Sequence, residues 1–154
     1  MAPDRALPDL LTYRTTQYMK TELCAYSVDA CRIAARLGVD RVELCASPAE
    51  GGVTPSYATI ERVAAIEGLD VSVMIRPRGG DFLYSDDEFE TMLLDIERAR
   101  EAGATGVVFG VLTADGKVDK ERTRRLVEAS EGMETTFHRA VDMTEDYKQA
   151  VEDI

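Results

Sequence analysis

Cysteine is scarce in this chain. The three present, Cys24, Cys31 and Cys45, are an odd set without zinc-finger spacing, which excludes a disulfide framework and a structural zinc site and leaves reduced thiols as the expectation. Histidine is scarcer still, with His138 alone. Basic residues are outnumbered 18 to 29 by acidic ones, and the formal net charge of −11 argues against a nucleic-acid or anionic-membrane partner. No apolar run approaches the roughly 18 to 20 residues that span a bilayer, and the first residues lack a signal peptide's basic start and apolar core, so the cytosol is expected. Neither a Walker A nor a Rossmann fingerprint occurs, and no nucleotide is implied.

What is present is a repeat. Glu22 to Tyr26 reads as a strand, Ser27 as the N-cap of a helix through Leu37, and Gly38 as its stop. Arg41 to Cys45 is a second strand, followed by Glu50-Gly51-Gly52 and then by Thr54 as N-cap and Pro55 at the first helical position, with Ile60, Val63 and Ala64 facing inward. Val71 to Ile75 is a third strand, and a fourth spans about residues 106 to 111, with Asp119 capping the helix after it. A fifth spans about residues 133 to 138, with Thr144 capping the last helix. The segment Ala35-Arg36-Leu37-Gly38-Val39-Asp40-Arg41-Val42 is echoed by Arg100-Glu101-Ala102-Gly103-Ala104-Thr105-Gly106-Val107, each a helix end, a glycine and a strand start. Strand then helix with short connections means parallel strands joined by right-handed crossovers. A barrel and an open doubly wound sheet both satisfy that pattern. Residues 1 to 18, where Pro3 and Pro8 interrupt a short leucine cluster, are expected to be a poorly ordered extension or a short docking segment, with the domain over residues 19 to 154.

Chemistry concentrates at the third strand's end. The strand breaks at Pro77 into a loop carrying Arg76, Arg78, Gly79, Gly80 and Asp81, and Ser85 with Glu88 forms a capping box for the helix that closes it. Arginine forks bind carboxylate or phosphate, and glycines let backbone N–H groups approach an anion. A purely structural ion-pair network bracing the loop uses the same residues. Side chains two apart on a strand share a face, which groups Glu22, Cys24 and Tyr26, Glu43 with Cys45, Met74 with Arg76, and Thr136 with His138. Soft thiolates suit Cu(I), and neighbouring strands lie about 4.8 Å apart, so Cys24 and Cys45 reach one ion if their register matches; the plain alternative is two small buried hydrophobes. His138 is a candidate acid, base or metal ligand oriented by Asp142 or Glu43, with Arg139 beside it, against the alternative of a hydrogen-bonded core histidine. Glu22 and Glu43 inside strands need a partner, and Arg76 is the expected one.

Four segments taken together resemble one family. Arg76-Pro77-Arg78-Gly79-Gly80-Asp81-Phe82-Leu83-Tyr84-Ser85, Val42-Glu43-Leu44-Cys45, Glu50-Gly51-Gly52-Val53-Thr54-Pro55-Ser56 and Thr136-Phe137-His138-Arg139-Ala140-Val141-Asp142-Met143 are similar, in this order, to the CutC family of copper homeostasis proteins. The resemblance runs from about Lys20 to the last residue and implies an α/β fold, the TIM-type (β/α) barrel, with about five βα units present. It also implies copper(I) as the bound ion and Cys24 and Cys45 as its ligands, and gives Cys31 no such role. A complete barrel of this type takes about 250 residues, and five units leave two strand edges uncovered, so self-association is expected.

Two functions follow. The resemblance implies a cytosolic copper(I)-binding homeostasis protein. The residues themselves equally describe a barrel enzyme acting on a small phosphate- or carboxylate-bearing substrate, with Arg76 and Arg78 as clamp, His138 as acid or base, and Glu43 and Asp142 as orienters.

Overall fold

The computed structural model of the chain describes residues 19–154, and the expectation for residues 1 to 18 lies outside them. Its strands are β1 (Glu22–Ala25), β2 (Arg41–Leu44), β3 (Asp70–Met74), β4 (Gly106–Phe109) and β5 (Glu134–Phe137). The α-helices are α1 (Val28–Arg36), α2 (Tyr57–Ala64), α3 (Asp86–Glu101), α4 (Lys120–Ala129) and α5 (Tyr147–Asp153), with short 3-10 turns at Pro48–Glu50 and Arg139–Met143. The strands form one parallel sheet in the order β1-β2-β3-β4-β5. Sequential order decides between the two architectures left open by periodicity, because a doubly wound sheet reverses direction part-way and this one never does. Every crossover steps the same way, and the sheet is the wall of a TIM-type barrel.

The curvature of that wall is visible in its side chains. Arg41 on β2 pairs through Nε with Glu22 on β1 and through its terminal nitrogen with Glu134 on β5. In a flat sheet β2 and β5 would be three spacings, about 14 Å, apart, too far for two side chains standing parallel to meet. They meet because the concave face folds the outer strands toward each other. This pairing also answers the question of Glu22's partner: Arg41, next to it in register, takes the place expected for Arg76.

Alternation sorts the remaining residues. Val42, Leu44, Val71, Val73, Val107 and Phe109 point outward and are buried against Ile60, Val63, Phe89, Met92, Ile96 and Leu126 of the helices, forming the main core. Each such side chain contributes about 1.5–3 kcal/mol of burial. The concave face holds a much smaller apolar cluster, Cys45, Met74 and Val108. Among the described residues β1 pairs only with β2 and β5 only with β4, so each presents an open edge, and Leu23 on β1 is 44% exposed.

Helix starts follow the expected chemistry at Ser27, Asp119 and Ser85, where the full capping box forms with Glu88. Two differ. α2 is capped by Ser56 rather than Thr54, because the Thr54 hydroxyl is bonded to the third strand's extension, accepting from Arg76 N–H at 2.9 Å and donating to Arg76 C=O at 3.2 Å. α5 is capped by Asp146 rather than Thr144, whose hydroxyl donates to Val141 C=O at the end of the preceding 3-10 turn.

Candidate functional site

The carboxyl ends of β1 and β2 bring three candidate ligands together. The register places Cys24 opposite Glu43, and Cys45 lies two residues further along the same face of β2. Cys24 Sγ and Cys45 Sγ are 3.9 Å apart, Cys45 Sγ lies 3.6 Å from Glu43 Oε1, and one ligand atom from each residue falls within 4.8 Å of the others. Cys24 is exposed and Cys45 buried, so the pair has an open and a closed side. Burial raises the Cys45 thiol far above its ordinary value, and the neighbouring Cys24 and Glu43 add to the rise. Tyr26 is pushed up to about 12, chiefly by its hydrogen bond to Cys24. Both groups therefore favour their protonated forms while the cluster holds no cation.

The donor set fits a soft ion. At a metal–sulfur bond of about 2.3 Å, sulfurs 3.9 Å apart subtend about 116° at the ion, between tetrahedral and trigonal. A linear two-thiolate ion would need about 4.6 Å on the same bond length. The angle leaves a third position, and Glu43 is beside it. Cys31 sits fully buried in α1, its thiol raised by burial, and belongs to the core.

The third strand's loop is built differently from a free anion clamp. Arg76 is 1% exposed, and its guanidinium donates to the carbonyls of Glu50 (2.8 Å), Gly52 (2.9 Å) and Gly80 (2.7 Å). Three carbonyl dipoles therefore hold the buried charge, while Nε remains without a hydrogen-bond partner. Arg78 spends its fork on the loop and on α3: Glu88 at 2.6 Å, Asp81 at 3.0 Å, and the carbonyls of Gly79 and Leu83. Glu88 thus serves both the capping box and Arg78, which holds its carboxyl below the usual range. Gly79 lies against the Glu50 side chain, whose Oε2 would stand 1.8 Å from a Cβ there and would have to swing aside. A resident carboxylate already fills the side of Gly79 an incoming anion would use. Bracing is what this geometry favours at residues 76 to 81.

The fifth strand's end carries His138, Arg139 and Asp142. His138 caps the 3-10 turn, its Nδ1 accepting from Ala140 N–H at 3.3 Å, so the proton of the neutral ring sits on Nε2, which is buried without a partner. Asp142 is exposed, and the bond that orients the imidazole comes from Ala140 rather than from Asp142 or Glu43. Gly110 makes this possible, because a Cβ there would lie 2.5 Å from His138 Nδ1. Burial, with Arg76 and Arg139 nearby, lowers the His138 pKa to about 4. Phe82 ties the region together: its ring lies 5.0 Å from the imidazole, 4.9 Å from the Arg76 guanidinium and 5.5 Å from that of Arg139. Sequence reasoning had no individual role for Phe82 or Glu50, read Glu88 only as half of the capping box, and took Glu43 as an orienter of His138 and a partner for Arg76, whose guanidinium goes to carbonyls instead. The signal for Glu43 as a thiol neighbour was its position two residues before Cys45.

A parallel barrel wall with a thiol pair and a carboxylate at the carboxyl ends of its first two strands defines a (β/α)-barrel protein with a candidate soft-metal site. The CutC family profile matches residues 19–154. The CutC family protein of Bacteroides thetaiotaomicron is 52% identical over 134 residues, covering 86% of this chain and 54% of that protein. That of Klebsiella pneumoniae strain 342 is 49% identical over 129 residues, covering 84% and 52%. A crystal structure of CutC from Streptococcus agalactiae superposes with a TM-score of 0.80 at 36% identity, covering 88% of this chain and 67% of that one. A 2,3-dimethylmalate lyase of the PEP mutase/isocitrate lyase superfamily, at 14% identity and TM-score 0.56, covers 93% of this chain and 57% of its own, and shares the fold. The chain belongs to the CutC family, and it spans about half the length of the curated relatives it matches.

Proposed function

We propose that the chain binds copper(I) in the cytosol through Cys24 and Cys45, with Glu43 as third ligand. The observation that carries this reading is the 3.9 Å separation of two sulfurs beside a carboxylate, in a chain whose Streptococcus agalactiae relative bears the name of a copper homeostasis protein. Soft thiolates select Cu(I) over the harder divalent ions. Because the ligands are thiolates, protons compete with the ion and binding weakens as pH falls. Titration against a competing Cu(I) chelator tests it: the reduced chain takes up about one equivalent, each of Cys24→Ser and Cys45→Ser loses tight binding, and Cys31→Ser behaves as wild type. Unchanged uptake by the Cys24 and Cys45 double variant would remove the site. No helix among the described residues is long and apolar enough to cross a membrane, which accords with a cytosolic setting. We further propose that the open edges of β1 and β5 pair with other copies of the chain.

One observation favours the second reading, a barrel enzyme acting on a small anion. Arg139 makes no hydrogen bond or ion pair among the described residues, and the neighbouring His138 keeps an unpartnered buried N–H. If an anion binds at this mouth, Arg139 is its cation, while Arg76, Arg78, Gly79, Gly80 and Asp81 shape the loop beneath it.

A further inference from the structure

The loops that follow β3, β4 and β5 enclose a cleft of about 400 Å³ at the carboxyl end of the barrel wall. That volume lies within the range of small-molecule sites, roughly 300–1,000 Å³, and that end of a barrel is where ligands bind. It is separate from the thiol pair, which sits on β1 and β2. We propose that this cleft binds a small organic monoanion with an apolar body, its carboxylate held by Arg139 and its body by Leu83, Leu112 and Met143. The proposal rests on the second reading above and is independent of copper.

Charge comes first. Arg139 has no anionic partner among the described residues, in a chain of net charge −11, whereas Arg76 and Arg78 in the adjoining loop are bound by carbonyls and carboxylates. Its guanidinium is not adrift: it lies 5.5 Å from the centre of the buried Phe82 ring, and its terminal nitrogen comes so near Gly51 that a Cβ there would stand 2.6 Å away. An exposed fork that lies against the Phe82 ring and has no hydrogen-bonding partner among the described residues is suited to a bidentate carboxylate.

The other walls set the ligand's character. Leu112 is buried in the cleft, while Leu83 and Met143 stand at its rim 46% and 64% exposed. These open apolar side chains ask for an apolar body rather than a polyhydroxylated one, and methionine adapts to an aromatic or branched group. Asp81 also borders the cleft, paired with Arg78 at 3.0 Å. With Asp81 and Arg78 matched to each other, Arg139 alone is left to meet a ligand's charge, and one guanidinium balances a carboxylate monoanion but not a phosphate dianion.

The test uses the whole chain, ¹⁵N-labelled, titrated with 3-phenylpropanoate and followed by amide shifts. Saturable shifts confined to residues 80–83, 112–116 and 139–143 are expected. The neutral 3-phenylpropanamide and acetate should each bind at least tenfold more weakly, as should Arg139→Met with 3-phenylpropanoate. Leu83→Asp, a change at an exposed position that leaves the core intact, should also weaken binding, while the Cys24→Ser, Cys45→Ser double variant should bind as wild type does. Equal binding of acid and amide, or wild-type affinity in Arg139→Met, would overturn the proposal. Tighter binding of inorganic phosphate than of 3-phenylpropanoate, with shifts at Arg139, would overturn the monoanion assignment while upholding the broader anion reading. No saturable shift with any of the four would end both.

Discussion

Replacing Arg76 with methionine removes the charge while keeping much of the side chain's volume, and it separates bracing from ligand binding as the reason this arginine is there. The guanidinium donates to three carbonyls, those of Glu50, Gly52 and Gly80, from a residue that is 1% exposed. A buried acceptor stripped of its donor costs about 1–3 kcal/mol, and loss of the buried charge returns part of this because that charge no longer has to be desolvated. The net expected loss is about 3–5 kcal/mol, a large share of the roughly 5–15 kcal/mol typical of a domain. Urea unfolding at pH 7 measures it. Arg76→Lys should recover less than half of the difference, since a single ammonium cannot reach three carbonyls in a planar fork. Arg78→Met should cost only about 1 kcal/mol, because its partners Asp81 and Glu88 are more open to water. A loss below about 1 kcal/mol in Arg76→Met would refute the reasoning and show that the three carbonyls find water, leaving Arg76 free for a ligand.

Three further outcomes follow from the same structure. His138 has a folded-state pKa of about 4 against an ordinary value of 6.5, so its contribution to stability is complete above pH 6.5 and is lost as pH falls toward 4, on the order of 3 kcal/mol in all; the slope should vanish in His138→Gln, and a ring that titrates near 6.5 by NMR would contradict this. Asp95 on α3 has its carboxyl raised by burial, so its burial weighs against stability as pH rises past its ordinary range. Asp95→Asn should therefore raise the Tm at pH 7 and leave it unchanged near pH 3, and a lower Tm at pH 7 would show that the carboxylate is needed. The open edges of β1 and β5 predict elution on size exclusion well above the 17.0 kDa of one chain, reduced by Leu23→Lys on β1; a compact monomer with uniformly protected outer strands would exclude edge pairing.

Much of the wall was legible because parallel strands announce themselves. Buried runs such as Val71 to Ile75, with Ser27, Ser85 and Asp119 as caps, locate the units from local chemistry alone, and each cap forms as read. Periodicity does not carry strand order, so the choice of barrel over open sheet needed the family resemblance and is answered by the order of the sheet. The thiol site was half legible: spacing puts Cys45 and Glu43 on one face, but only the register opposite Cys24 tells that three ligand atoms converge. The charged loop was least legible. Arginine reads as a partner for anions, and nothing in a sequence says that Arg76 will be held by carbonyls contributed from residues 50 to 52 and 80, or that Arg41 will take Glu22. Thr54 and Thr144 show the same limit at small scale, where a hydroxyl suited to a cap is taken by a nearer backbone group.

The claim at the centre of this account is that Cys24, Cys45 and Glu43 hold one copper(I) ion. X-ray absorption at the copper edge on the chain loaded with one equivalent reads the ligand set directly. The account predicts two sulfur scatterers and one oxygen, with the oxygen lost in Glu43→Gln and one sulfur lost in Cys24→Ser. A first shell of nitrogen and oxygen only, or two sulfurs that persist in the Cys24→Ser, Cys45→Ser double variant, would contradict it.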